Sequence, residues 1–190
     1  MTVVFFLEEA SAKALLEVLL PRLFPPPNRL VYQFIVFEGK QDLDKNLTRK
    51  LRGYLAPDAV FVVLRDQDAH NCVALKAELV NLCRAGGKPH TLVRIACREL
   101  ESWYLGDLWA VGQALQIPDL AAQQEKQPHR APDQFPNPAN RLEKLVSNYQ
   151  KVTGSRAIGA YLRWEENCSA SFRVFISGLR RVVGAHVEND

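Results

Sequence analysis

Four times before residue 102 the chain runs through a short apolar segment and closes it with carboxylates. Thr2 to Leu7 is followed by Glu8 and Glu9, and Leu30 to Phe37 by Glu38. Val60 to Leu64 is followed by Arg65-Asp66-Gln67-Asp68, and His90 to Cys97 by Arg98-Glu99-Leu100-Glu101. Segments this short, rich in Val, Ile and Phe, read as buried strands. Between them lie stretches with apolar residues at helical spacing: Leu15, Val18 and Leu19 in Ala10 to Leu23; Leu43, Leu47 and Leu51 in Asp42 to Leu55; Leu75, Leu79 and Leu82 in Val73 to Ala85. Phe24-Pro25-Pro26-Pro27-Asn28, Pro57-Asp58 and Gly86-Gly87 mark the stops. Strand and helix in strict alternation predict an α/β fold, a mostly parallel four-stranded sheet flanked by helices.

In such a sheet every strand delivers its C-terminus to the same edge, where ligands bind. Glu8, Glu38, Asp66, Asp68, Glu99 and Glu101 all fall on that edge. Carboxylates gathered in a cleft repel one another unless protonated or bridged by a cation. Asp66 and Asp68, two residues apart at a strand end, point to one face and can converge on a hard cation such as Mg2+. The bland reading of Asp66-Gln67-Asp68 is a polar turn that caps the following helix. That of Glu99 and Glu101 is a favourable charge in the first turn of the helix carrying Trp103 and Tyr104, both expected in the core.

Beyond Asp107 the pattern loosens. Leu108 to Leu115 continues as helix, and Gln123 to Asn140 is a proline-rich surface loop with Pro128, Pro132, Pro136 and Pro138. Asn140 to Val146 and Ser155 to Trp164 read as short helices joined by a basic, glycine-containing turn, Lys151 to Arg156. Phe172 to Val183 reads as a helix or a strand-helix mixture. This organisation divides the chain into an α/β core (1–118), a proline-rich loop (119–140) and a helical C-terminal extension packed on the core (141–190).

Composition excludes several classes. A hydrophobic fraction of 47% with 24% charged residues is that of a globular chain. No apolar run reaches bilayer-spanning length, and the N-terminus opens on a strand pattern rather than a leader, so a cytoplasmic location without membrane contact is expected. Cys72, Cys83, Cys97 and Cys168 form no metal-binding pair with one another or with the histidines, and reduced thiols are expected. There is no phosphate-binding glycine loop, no dinucleotide fingerprint and no Ser-His-Asp set. The net charge of +3 permits a polyanion partner without requiring one.

Specific segments resemble a known family. F-L-E-E-A-S from Phe6, L-R-D-Q-D from Leu64, V-R-I-A-C-R-E-L-E-S-W-Y-L-G-D from Val93 and Y-Q-K-V-T-G-S-R-A-I from Tyr149 are similar to a bacterial TOPRIM-like family of unknown function. That family is related to the TOPRIM domains of OLD-type nucleases and is often encoded beside an AAA-type ATPase. The resemblance spans Val3 to Arg181 and implies a TOPRIM-like fold. It implies Glu8 as the TOPRIM glutamate and Asp66 and Asp68 as the metal-binding aspartates. Glu99 and Glu101 would correspond to the extra acids with which OLD-type nucleases hold a second metal. Glu9 stands where the commoner Glu-Gly pattern has glycine. An alternative register on Glu38-Gly39 keeps that pair but lacks the strand expected between the glutamate and Asp66.

The function this implies is a Mg2+-dependent nuclease, with Mn2+ as a substitute, acting on DNA or RNA in a bacterial defence or DNA-processing system with an ATPase partner. Glu8, Asp66 and Asp68 would be catalytic. Among Lys40, Lys45, Arg49, Arg52, Arg65, Arg98 and Lys151, the best candidates to receive phosphates are Arg98 and Lys151. The alternative is a non-catalytic TOPRIM-like module that binds or regulates an ATPase complex, with oligomerisation open in both cases.

Overall fold

The computed structural model describes residues 1–27, 30–56, 58–126 and 128–187. Asn28 in the expected proline stop, Pro57 in the expected turn, Gln127 in the expected loop and residues 188–190 of the expected extension lie outside them. The first half alternates as the sequence predicts: β1 (Thr2–Leu7), α1 (Ala10–Leu23), β2 (Val31–Val36), α2 (Lys40–Arg52), β3 (Ala59–Asp66), α3 (Cys72–Ala85) and β4 (Leu92–Ala96). The four strands form one parallel sheet in the order β2-β1-β3-β4.

Alternation along the strands builds a core on each face. Val3, Phe5 and Leu7 of β1 with Val60, Val62 and Leu64 of β3 meet Leu15, Leu16 and Leu19 of α1. Val4, Phe6, Phe61 and Val63 face the other way, onto Leu43, Leu47 and Leu51 of α2 and Leu75 and Leu79 of α3. The first helix therefore covers one face and the next two cover the opposite one. β1 and β3, buried on both sides, read as continuous apolar runs for that reason.

The second half wraps the α1 face. After β4 come α4 (Glu101–Leu105) and α5 (Leu108–Leu115), two short 3-10 turns (Leu120–Gln123 and Pro132–Gln134), α6 (Pro138–Leu145), α7 (Lys151–Gly159) and α8 (Ala170–Val187). Trp103 anchors the wrap: its ring centroid lies 5.2 Å from that of Phe172 and 4.9 Å from that of Phe175, both on α8. α8 is helical throughout, which settles the mixed reading of Phe172 to Val183.

Two expectations change here. Lys151 to Arg156, read as a turn, is the first half of α7, and Ser155, read as the start of a helix, lies inside it with its hydroxyl bonded back to the Lys151 carbonyl. Gly154 suggested the turn. It is glycine because the Tyr149 ring lies where a Cβ would project. The proline-rich segment is tied down more firmly than a surface loop: the Gln124 side chain accepts from Leu108 N (2.7 Å) and donates to the Leu105 carbonyl (3.1 Å), and Asp133 accepts from Ser171 N at the start of α8 (2.7 Å). Polar side chains that satisfy the backbone of neighbouring helices leave no apolar period to read.

Candidate functional site

From β1 the chain crosses to β2 on one side of the sheet, then returns past β1 to β3 on the other. The strand order thus reverses between β1 and β3, and the crevice outside their C-terminal ends is where an open α/β sheet binds its ligands. Glu8 leaves β1 into that crevice and Asp66 ends β3 beside it. Leu7 pairs with Leu64 in register, which brings the two acids together: Asp66 N donates to Glu8 Oε2 at 3.1 Å. Arg65 points to the opposite face, with Nε 3.9 Å from the same Glu8 oxygen and Nη2 3.1 Å from Asp44 of α2. A cavity of about 10 Å³ lies against Glu8, Glu9, Ser11 and Asp66, room for one water or one ion.

Helix α4 brings Glu101, which is 1% exposed, close enough behind this cavity to act on the Asp66 charge. Its Oε1 is 3.4 Å from the Tyr149 hydroxyl, and its Oε2 is buried with no hydrogen-bond partner among the described residues. Lys151, at the start of α7, reaches Glu9 Oε2 at 3.5 Å.

The electrostatics is that of acids held out of water. Burial, joined by Glu8, Glu101 and Glu9, pushes the Asp66 carboxyl well above its ordinary range. Burial also raises Glu8; its bond from Asp66 N and the Arg65 charge oppose that, and Asp68 and Glu9 add to it. Glu101 is raised by burial against the pull of Lys151. Lys151 is itself raised: burial disfavours its charge, and Glu101, Glu9 and Asp66 more than offset that. Carboxyls raised above their unfolded values contribute stability below the unfolded range, near pH 4, and lose it as pH rises through the folded values. Metal-free protein is therefore expected to lose thermal stability between about pH 4 and neutrality, as melting curves across that range would show. A flat profile would mean that these acids are not desolvated together.

The remaining candidates disperse. Asp68 sits just past β3 in the left-handed region (φ 52°) and its Oδ2 takes a 2.9 Å ion pair from Lys40 at the start of α2. It does not cap α3; Asn71 does, accepting from Val73 N and Ala74 N. Glu99 accepts from Ala139 N at 2.8 Å and so closes the N-terminus of α6 instead of the helix that follows it. Arg98 contributes its carbonyl, which accepts from Asp68 N at 2.8 Å. Glu38 follows the edge strand β2, exposed, with its N–H donating to Asp42. Glu8, not Glu38, is the glutamate beside Asp66. Among the described residues no three Asp, Glu, His or Cys side chains converge ready-made on a metal position.

Sequence reading left two participants out of the site. Glu9 was visible as a strand-end acid, but only the α1 N-terminus turns it toward Lys151. Tyr149 carries no local signal at all.

Comparison with known proteins meets this geometry at the level of family and fold. A family model described as "Domain of unknown function (DUF4276)" matches residues 7–180. The chain belongs to this family. The DUF4276 match takes in both halves of the fold and all the acids above. Among solved structures, the chain is similar to the C-terminal region of the Burkholderia pseudomallei OLD protein, with a TM-score of 0.52 and 18% identity over 95% of this chain and 98% of that one. At that identity the likeness is one of fold. No curated protein matches. No helix among the described residues is long and apolar enough to cross a membrane.

Proposed function

We propose that this chain is a Mg2+-dependent nuclease, with Mn2+ as a substitute, whose centre is Glu8, Asp66 and Glu101 at the β1/β3 switch point. The observation that carries it is the pair of desolvated carboxylates Glu8 and Asp66 against a one-ion cavity, with Glu101 buried nearby and its Oε2 without a hydrogen-bond partner among the described residues. Carboxyls crowded out of water are relieved by protonation or by a bridging cation, and hard oxygen donors in this number suit a divalent one. The fit is one of donor type and placement: among the described residues the three carboxyls do not converge on one metal position, so closing the set requires side-chain movement, and Asp68 can join it only when released from Lys40. The resemblance to OLD-type TOPRIM domains implies Asp68 as a further metal ligand and Glu99 as an acid of a second metal; here Asp68 is paired with Lys40 and Glu99 with Ala139 N, so both stand at the rim of the set.

When bound, the cation supplies charge stabilisation for an in-line displacement at phosphorus. The protein's own residues do the rest. Glu8 fixes the end of β3 through Asp66 N, so the Asp66 carboxylate is held by the sheet instead of by a loop. Lys151, aimed by Glu9, presents an ammonium to a phosphate oxygen at the mouth of the site. Tyr149 and the buried wall of α4 hold Glu101 and keep bulk water away from it. Wild type is expected to cleave plasmid, single-stranded DNA or RNA only with Mg2+ or Mn2+. Absence of cleavage under all these conditions removes the autonomous-nuclease reading.

One observation favours a second reading, in which the chain is inactive until an AAA-type ATPase engages it. Lys40 occupies Asp68. Because that pair is exposed, Lys40→Met should change stability by less than about 1 kcal/mol. It should tighten Mg2+ binding by about twofold to fivefold, read by isothermal titration. Unchanged affinity would mean that Lys40 does not guard the site. A stable complex with the ATPase and no cleavage in any combination would identify a regulatory module.

A further inference from the structure

A chain of three recesses runs along β4 and α8. At the N-terminal end of β4 is one of about 480 Å³ lined by Lys88, His90 and Arg181. Arg181 also lines the second, about 430 Å³, with Arg94 and Arg173. Arg94 in turn lines the third, about 410 Å³, with Lys76, which ends at Gln67 between the two aspartates. The cations are not there to balance acids. Among the described residues no carboxylate lines the first two recesses, and Asp133, the acid in the third, is taken up by Ser169 and Ser171.

The middle recess is built around like charges. Arg94 is half-buried in mid-strand, with Nε donating to Val174 O (3.2 Å) and Nη1 to Val93 O (2.8 Å). Its guanidinium lies over Gly178, where a Cβ would collide with it. Arg173 and Arg181 stand on the same exposed stripe of α8, eight residues and therefore about 12 Å apart along the axis. Neither has a carboxylate partner among the described residues, and burial followed by the Arg181 charge lowers the Arg94 pKa. Mutual repulsion held in place by packing is what an absent polyanion would relieve.

We propose that this groove is the track for one strand of a nucleic acid, its phosphates on Arg94, Arg173, Arg181 and Lys76, leading the strand to the Asp66-Gln67-Asp68 turn. From Thr91 to Cys97 the strand edge spans about 20 Å, enough to hold several nucleotides. Val174, exposed between the arginines, offers apolar surface to a base rather than a hydrogen bond, so the track reads backbone and not sequence. The choice of polymer rests on the nuclease reading; the groove itself does not.

The test is fluorescence anisotropy of labelled 15-nucleotide single strands of DNA and of RNA, in EDTA, across a salt series. Arg173→Glu with Arg181→Glu changes two side chains that make no hydrogen bond or ion pair among the described residues. The double variant should bind at least about tenfold more weakly, with a salt slope shallower by about 0.7 for each phosphate that is no longer neutralised. Lys45→Glu with Arg49→Glu on α2, outside the groove, is the charge control and should bind much as wild type does. Equal losses in both variants, or no salt-dependent binding by wild type at 50 μM protein or below (about that range being ample for non-specific contacts), overturn the groove. Groove-dependent binding with no cleavage by any variant leaves the track standing and removes the autonomous nuclease.

Discussion

Asp66→Asn is expected to lower metal-dependent phosphodiester cleavage by on the order of 10³-fold while leaving the melting temperature at pH 8 unchanged or higher. The activity loss follows from the charge stabilisation a correctly held cation gives, several kcal/mol, at 1.36 kcal/mol per factor of ten. The stability effect has the opposite sign because the carboxylate is unfavourable where it stands. Burial and the charges of Glu8, Glu101 and Glu9 raise its pKa, and an amide of the same shape removes that penalty at a pH where the acid would be ionised. The Asp66 backbone N–H keeps its bond to Glu8 in either form. Loss of function with no loss of fold separates a ligand from a structural residue. Glu38→Gln, just past the edge strand, should leave activity unaltered. Cleavage retained by Asp66→Asn would place the chemistry elsewhere.

The fold was legible because its evidence is local. Strands buried on two faces need apolar residues at every position, and helices over them need apolar residues every third or fourth, so β1 to β4 and α1 to α3 announce themselves. The acidic edge was legible too, since parallel strands all deliver their ends to one side. What the sequence did not carry is which acids meet. That depends on strand order, and β2 lies outside β1, so Glu38 is removed from Asp66 while Glu8 adjoins it. Glu99 and Glu101 are two residues apart in one short motif, yet one caps a helix 40 residues away and the other is buried under Tyr149. Lys151 stands out in the sequence as a cation but reads as part of a turn, because Gly154 gives the same signal whether it bends the backbone or makes room for a ring. Contacts with no sequence period, such as Tyr149 to Glu101, are visible only in space.

The segment from Arg98 to Asp107 serves two ends, and its second half governs stability. Asp107 is fully buried and takes four bonds: from Arg163 Nη2 at 2.6 Å, Arg163 Nε at 3.1 Å, Arg163 N at 2.9 Å and Ala110 N at 3.2 Å as the N-cap of α5. Beside it Gly106 leaves space for the Asn167 amide, which donates to Trp103 O at 2.8 Å and accepts from Ser169 N at 2.8 Å. Here the sheet side of the molecule is stitched to the segment that follows α7. Asp107→Ala should therefore destabilise the fold by about 3 kcal/mol, the lower end of the range for breaking a buried pair, because Arg163 is partly exposed and keeps its stacking over Trp109. In a chain of this size that is a fall of about 6–12 °C in Tm. Asp107→Asn retains an acceptor for Ala110 N and should lose less. Because the tie holds α7, and with it Lys151, against Glu101, cleavage by Asp107→Ala should be near wild type well below its own Tm and fail above it. A cost under about 1 kcal/mol in urea denaturation would mean that Arg163 and Asp107 find other partners, and that the Gly-Asp pair closes the motif for a reason other than stability.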